Sequence, residues 1–126
     1  MAVPGDLLYS KDHEWVKLDG DAATIGITDY AQNALGDIVY VEVPKVGTTI
    51  AQFANIGVIE SVKAVSDLFT PISGEVVEIN GTLDNDPAAV NRDPYGEGWL
   101  LKVRLSNVGE TKNLLSAADY EKIAAD

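Results

Sequence analysis

The chain has 126 residues, 46% of them hydrophobic and 23% charged, which is enough for one domain with a real core and too few for two. Twenty acidic residues against nine basic ones give a net charge of -11, which excludes a nucleic-acid binder, since phosphates require a basic footprint. The absence of cysteine excludes disulfides, thiolate metal sites and cysteine nucleophiles, so any redox chemistry must come from an attached group.

Residues 1–6 carry neither a basic start nor a long apolar stretch, and no run reaches membrane-spanning length. A soluble cytoplasmic protein of a bacterium is expected, or a mitochondrial-matrix one if a targeting segment precedes residue 1. Leu7, Leu8 and Tyr9 begin the ordered part, and residues 14–18 alternate as a half-buried strand ahead of the Asp19-Gly20-Asp21 turn. Residues 22–27 read as its hairpin partner. His13, the single histidine, is assigned a structural role. Thr28 can cap a short helix over 29–34, which Gly36 ends by taking positive φ. Residues 37–43 form a strand stopped by Pro44, and 46–50 lead into the next segment.

Residues 57–62 form a strand built on Val58, Ile59 and Val62, and the apolar run resumes at Val65 and Leu68-Phe69. Lys63-Ala64 therefore falls where the chain reverses, and Lys63 stands at a hairpin tip, held outward by strands on both sides. Lys63 is the only Lys or Arg between Lys45 and Arg92. Its neighbours Val62 and Ala64 are apolar, where a turn serving only solubility offers Gly, Asn, Asp or Pro. The segment 36–42 is echoed 38 residues later by 74–80, each a glycine, an acidic residue and a β-rich run, which suggests two similar halves packed face to face. Asn80-Gly81 marks a turn, 86–90 one helical turn with Pro87 at its first position, 91–98 a loop, and 99–105 the last strand. Ser116, with Asp119 three residues on, caps a C-terminal helix over about 116–125. Ala117, Tyr120, Ile123 and Ala124 share the face that packs on the sheets. No nucleophile elbow, phosphate loop, metal-ligand cluster or Cys/His pair is present, so the chain reads as a carrier without catalytic apparatus of its own.

Glu60-Ser61-Val62-Lys63-Ala64, followed by Pro71-Ile72-Ser73-Gly74-Glu75-Val76 and Glu78-Ile79-Asn80, resembles the lipoyl-bearing hairpin of the H-protein family of the glycine cleavage system. His13-Glu14-Trp15, Ile25-Gly26-Ile27-Thr28, Ala31-Gln32, Leu35-Gly36-Asp37, Asn91, Pro94-Tyr95 and Gly98-Trp99 fit the same pattern in order, so the likeness spans nearly the whole chain. It implies a mainly β, lipoyl-domain-like flattened barrel or sandwich of two similar halves, with short helices and a C-terminal helix, as one domain over 1–126. Lipoic acid would be held as an amide on Lys63, with Glu60, Val62 and Ala64 recognised by the lipoyl-attaching enzyme. The implied partners are a pyridoxal-phosphate glycine decarboxylase, a tetrahydrofolate-dependent aminomethyltransferase and a dihydrolipoyl dehydrogenase. Glu14, and after it Asp67, is the expected carboxylate of a cleft that shelters the aminomethyl-bearing arm. Leu68-Phe69 departs from the family, where a more polar connection is usual.

Other readings stay open on sequence alone. A carrier of a 2-oxoacid dehydrogenase also bears lipoyl-lysine, usually within Asp-Lys-Ala on a longer chain. A biotin carrier favours methionines beside the lysine, whereas the only methionine here is Met1. An unmodified or lipoate-relay interaction module is the remaining alternative.

Overall fold

The computed structural model describes residues 2–124. Among the described residues, nine strands form two antiparallel sheets that do not close into a barrel. The larger has the order β1-β2-β3-β9-β8-β5, built from β1 (Leu8–Tyr9), β2 (Glu14–Asp19), β3 (Ala22–Ile27), β9 (Leu101–Leu105), β8 (Gly74–Ile79) and β5 (Thr49–Ile50). The smaller is β4-β6-β7, from β4 (Ile38–Glu42), β6 (Asn55–Ser61) and β7 (Val65–Phe69). One core fills the space between them: Ile38, Ile59 and Leu68 from the small sheet meet Val16, Ile25, Val76, Leu101 and Val103 from the large one. No helix of the described residues is long and apolar enough to cross a membrane.

The sequence echo has a structural counterpart. β4 and β8 lie in different sheets, and each carries a β-bulge at the same offset, between Ile38 and Tyr40 in one and between Val76 and Glu78 in the other. An extra residue at a matched place bends both strands and raises their local twist, which is how two short sheets wrap one core.

Helix α1 (Asp29–Leu35) follows β3 directly. The Thr28 side chain accepts from the Ala31 amide, and Gly36 closes the helix at φ 81. Four elements depart from expectation. Gly81 starts a helix, α2 (Thr82–Asn85), where a plain turn is predicted, and the next helical turn, α3 (Ala89–Arg92), begins two residues after Pro87 rather than at it. Residues 86–88 instead form a turn, with the Ala89 amide donating to Asp86 O. The last strand is shorter than predicted, since Trp99 and Leu100 precede it. Residues 108–113, unassigned from sequence, wind as a 3-10 helix.

A second core cluster holds the C-terminal helix α4 (Ala117–Ile123) against Leu7, Tyr9 and Trp15. Ser116 caps it through the Asp119 amide. Tyr120 and Ala124 are buried, but Ile123 is 44% exposed, so the packed face is narrower than its apolar spacing suggests. The predicted extension to residue 125 lies outside the described residues.

Candidate functional site

β6 and β7 pair antiparallel from Glu60–Val65 down to Asn55–Phe69, so residues 62–64 form the tip of their hairpin. The Ser61 amide donates to Ala64 O at 2.8 Å, which closes the turn. Positive φ outside glycine occurs, among the described residues, only at His13 and Phe53, so neither Val62 nor Lys63 needs the left-handed region. That is why this tip dispenses with Gly or Asn. Its remaining amides are met by a side chain: Ser61 Oγ accepts from Ala64 N at 3.0 Å and from Lys63 N at 3.3 Å. Serine doing this local work is a common turn device, and Ser61 is the one determinant of the tip that the strand-like sequence concealed.

Lys63 is exposed, with Val62 69% exposed and Ala64 exposed beside it. Glu60 is half-buried one turn below, opposite Tyr40 on one side and Val65 on the other. Lys63 forms no ion pair among the described residues. Its aliphatic stem lies over Gly36, where an added Cβ would stand 3.3 Å from Lys63 Cε. The tip is also tied to that corner by the Val62 amide, which donates to Asp37 O at 3.0 Å.

Glu14 lies elsewhere. It opens β2 opposite Ile27 and is only 2% exposed. Ser10 Oγ donates to its Oε1 at 2.5 Å and, as acceptor, takes the Glu14 amide at 3.1 Å. The Phe69 backbone near the carboxyl favours its charged form. Burial outweighs these bonds and pushes the Glu14 carboxyl up to about 8, because a charge in an apolar surround loses its hydration. Phe69 is six residues from Lys63, roughly 20 Å along an extended strand. Asp67 falls between them on β7, opposite Val58 and exposed, and no hydrogen bond joins it to Glu14 among the described residues. Three sequence-predicted positions thus follow one hairpin: an apex amine, an exposed acid, and a buried acid at its far end.

The loop carrying Ser10 and Glu14 borders a cavity of about 260 Å³ lined by Lys11, Asp12, Phe53 and Asn113. Phe53 projects there from a left-handed backbone, φ 67, and its amide donates to Thr70 O, next to Phe69. Glu14 does not itself line this cavity. His13 takes its own left-handed turn at φ 69 and places Nδ1 2.7 Å from the Tyr120 hydroxyl, which also meets Thr28 Oγ1 at 2.7 Å. Burial pushes the His13 imidazole below its ordinary value. Neither Ser10 nor Phe53 was legible as a site residue, because their placement depends on contacts across loops.

A two-sheet β protein with one lysine raised on a hairpin apex, and a buried carboxyl at the hairpin's other end, has the form of a carrier that presents a tethered group. The sequence matches the profile of the Glycine cleavage H-protein family over residues 7–126, and the chain belongs to that family. It is 57% identical over 122 residues to the glycine cleavage system H protein of Opitutus terrae, covering 96% of each chain. Against that of Carboxydothermus hydrogenoformans the identity is 55% over 121 residues, covering 96% of this chain and 93% of the relative. The crystal structure of the glycine cleavage system H protein of Mycobacterium marinum superposes with a TM-score of 0.88 at 44% identity, over 95% of this chain and 97% of that one.

Proposed function

We propose that this chain is the lipoylated carrier of the glycine cleavage system, a non-catalytic subunit that takes the methylamine group of glycine from the pyridoxal-phosphate glycine decarboxylase to the tetrahydrofolate-dependent aminomethyltransferase. The observation that carries the reading is the exposed Lys63 at the apex of the β6–β7 hairpin, in a chain of this family. Lys63 suits an acyl group: its amine reaches solvent, its stem rests on a glycine, and the apolar Val62 and Ala64 beside it are open to an attaching enzyme. Glu60, half-buried and fixed in the sheet, is the nearest strand residue of that recognition surface. When bound, the lipoyl group supplies the redox-active ring disulfide that this cysteine-free chain lacks.

The residues of the chain have distinct tasks. Lys63 holds the group by an amide, which removes its own positive charge. Ser61 and the Val62–Asp37 bond keep the apex from collapsing onto the sheet. Glu14 is the acid poised to meet an ammonium group sheltered beside the Ser10 loop. Burial keeps it protonated near neutrality, and a cation brought alongside would offset the desolvation and draw the proton off. Exposed Asp67 lies on the route along β7 between them. Dihydrolipoyl dehydrogenase would restore the ring disulfide, with NAD as the oxidant. A cytoplasmic location, or the mitochondrial matrix behind a targeting segment, goes with this role.

Reconstitution tests it. Lipoylated protein mixed with a glycine decarboxylase should become reduced only when glycine is added, and should not respond to a 2-oxoacid with a 2-oxoacid decarboxylase. The reverse preference would assign the chain to 2-oxoacid oxidation.

A further inference from the structure

Apex and body meet at the corner between α1 and β4, residues 36–38, and that corner is held from its other side by one side chain. Asn91, on the short helix α3, accepts from the Ile38 amide through Oδ1 at 2.9 Å and donates through Nδ2 to Gly36 O at 2.8 Å. These two groups flank Asp37, whose own carbonyl faces the other way and accepts from Val62 N, one residue before the lysine. The amide of Asn91 thus pairs with the corner as a strand would, and the corner pairs with the hairpin apex. Nδ2 also donates to Gln32 Oε1 at 3.0 Å, which ties in α1. Gly36 completes the arrangement, since its φ of 81 and missing Cβ make the surface over which the Lys63 stem lies.

We propose that Asn91 is a positioning residue for the Lys63 apex, acting through Gly36, Asp37 and Ile38 to fix the presentation of the amine; this rests on Lys63 being the attachment site. Among the described residues, no other side chain offers one acceptor and one donor to the two groups that flank Asp37. An apolar replacement leaves both partly buried backbone groups unpaired and frees Asp37 O to move with the apex. An aspartate keeps the bond from Ile38 N and loses the one to Gly36 O.

The test uses the intact, unlipoylated chain as wild type, Asn91→Ala, Asn91→Asp and Val103→Ala. The last is a core variant at the centre of the large sheet, which lowers global stability while leaving both Asn91 bonds to the corner in place. Amide hydrogen exchange at Val62 is read first, at a temperature where every variant is folded. Asn91→Ala should accelerate it roughly tenfold, Asn91→Asp by less, and Val103→Ala no more than it accelerates core amides generally. Steady-state lipoylation by a lipoate ligase is read next, with the apo protein as the varied substrate. Asn91→Ala should raise KM several-fold with little change in kcat, with Asn91→Asp in between. Unchanged Val62 exchange in Asn91→Ala, or a KM rise matched by Val103→Ala, overturns the proposal. Because the exchange measurement needs no lipoyl group, it judges the clamp even if the ligase ignores the wild type, a result that would instead overturn the carrier reading.

Discussion

Glu14 is the residue whose chemistry changes most between sequence and structure. From sequence it is the acid expected to line a cleft; in the fold it is 2% exposed, bonded to Ser10, with its carboxyl raised from 4.5 to about 8. A raised acid is protonated in the folded chain at pH values where the unfolded chain has already lost its proton. The folded state therefore binds more protons across that window, and stability falls as pH rises from the ordinary carboxylate value toward 8, by about 1.4 kcal/mol per pH unit at most. Glu14→Gln removes the titrating group while keeping an acceptor for Ser10 Oγ. Chemical denaturation at a series of pH values should show the variant overtaking wild type as pH rises, with the gap levelling above pH 8. Parallel stability curves would show that Glu14 ionises freely in the folded chain. Lys63, in contrast, was legible as the odd cation of its region. Ser61 was hidden, because a serine inside an apolar run looks like any strand residue until its hydroxyl is seen to accept two turn amides.

Strands marked by β-branched residues and a helix announced by a capping hydroxyl were readable, and elements set by backbone contacts were not; β2, expected to alternate, instead buries Glu14, Trp15 and Val16 together and exposes Lys17 and Leu18. Strand β3 and the Thr28 cap follow from β-branched spacing and a hydroxyl before a helix. The helix at Thr82–Asn85 has no side-chain cap to announce it, and α3 starts from a turn at 86–88 that shares its composition with an ordinary loop. Glycines carry a further layer of hidden information. At Gly57 on β6 an added Cβ would run into the Glu42 carbonyl of the neighbouring strand, beside the bulge between Asn55 and Gly57. Gly57→Ala should therefore push β4 and β6 apart and lower stability by about 1–3 kcal/mol, the usual cost of overpacking a formed interface. Gly5→Ala, with open space around its Cβ, is the matched control and should leave the denaturation midpoint in place. Equal midpoints for both variants would mean that the strands accommodate the methyl without strain.

At the scale of the molecule, the two sheets carry matched bulges 38 residues apart and close on a shared core, with the β6–β7 tip exposed. The faint repeat in the sequence pointed to this pairing of halves, and helical spacing to the packing of α4 through Tyr120, while the open edges of the sheets and the hydrogen bonds that join the Tyr120 hydroxyl to His13 and Thr28 appear only in three dimensions. With 20 acidic and nine basic residues, the body is suited to basic partner faces, and salt should slow such encounters. On the proposed function, this body holds one acyl group on one amine. Intact-mass spectrometry after expression with a lipoate ligase measures that directly: wild type should gain a single lipoyl increment, mapped by peptide fragmentation to Lys63, and Lys63→Ala should gain none. An unshifted wild type, or an increment that survives in Lys63→Ala, would contradict the account.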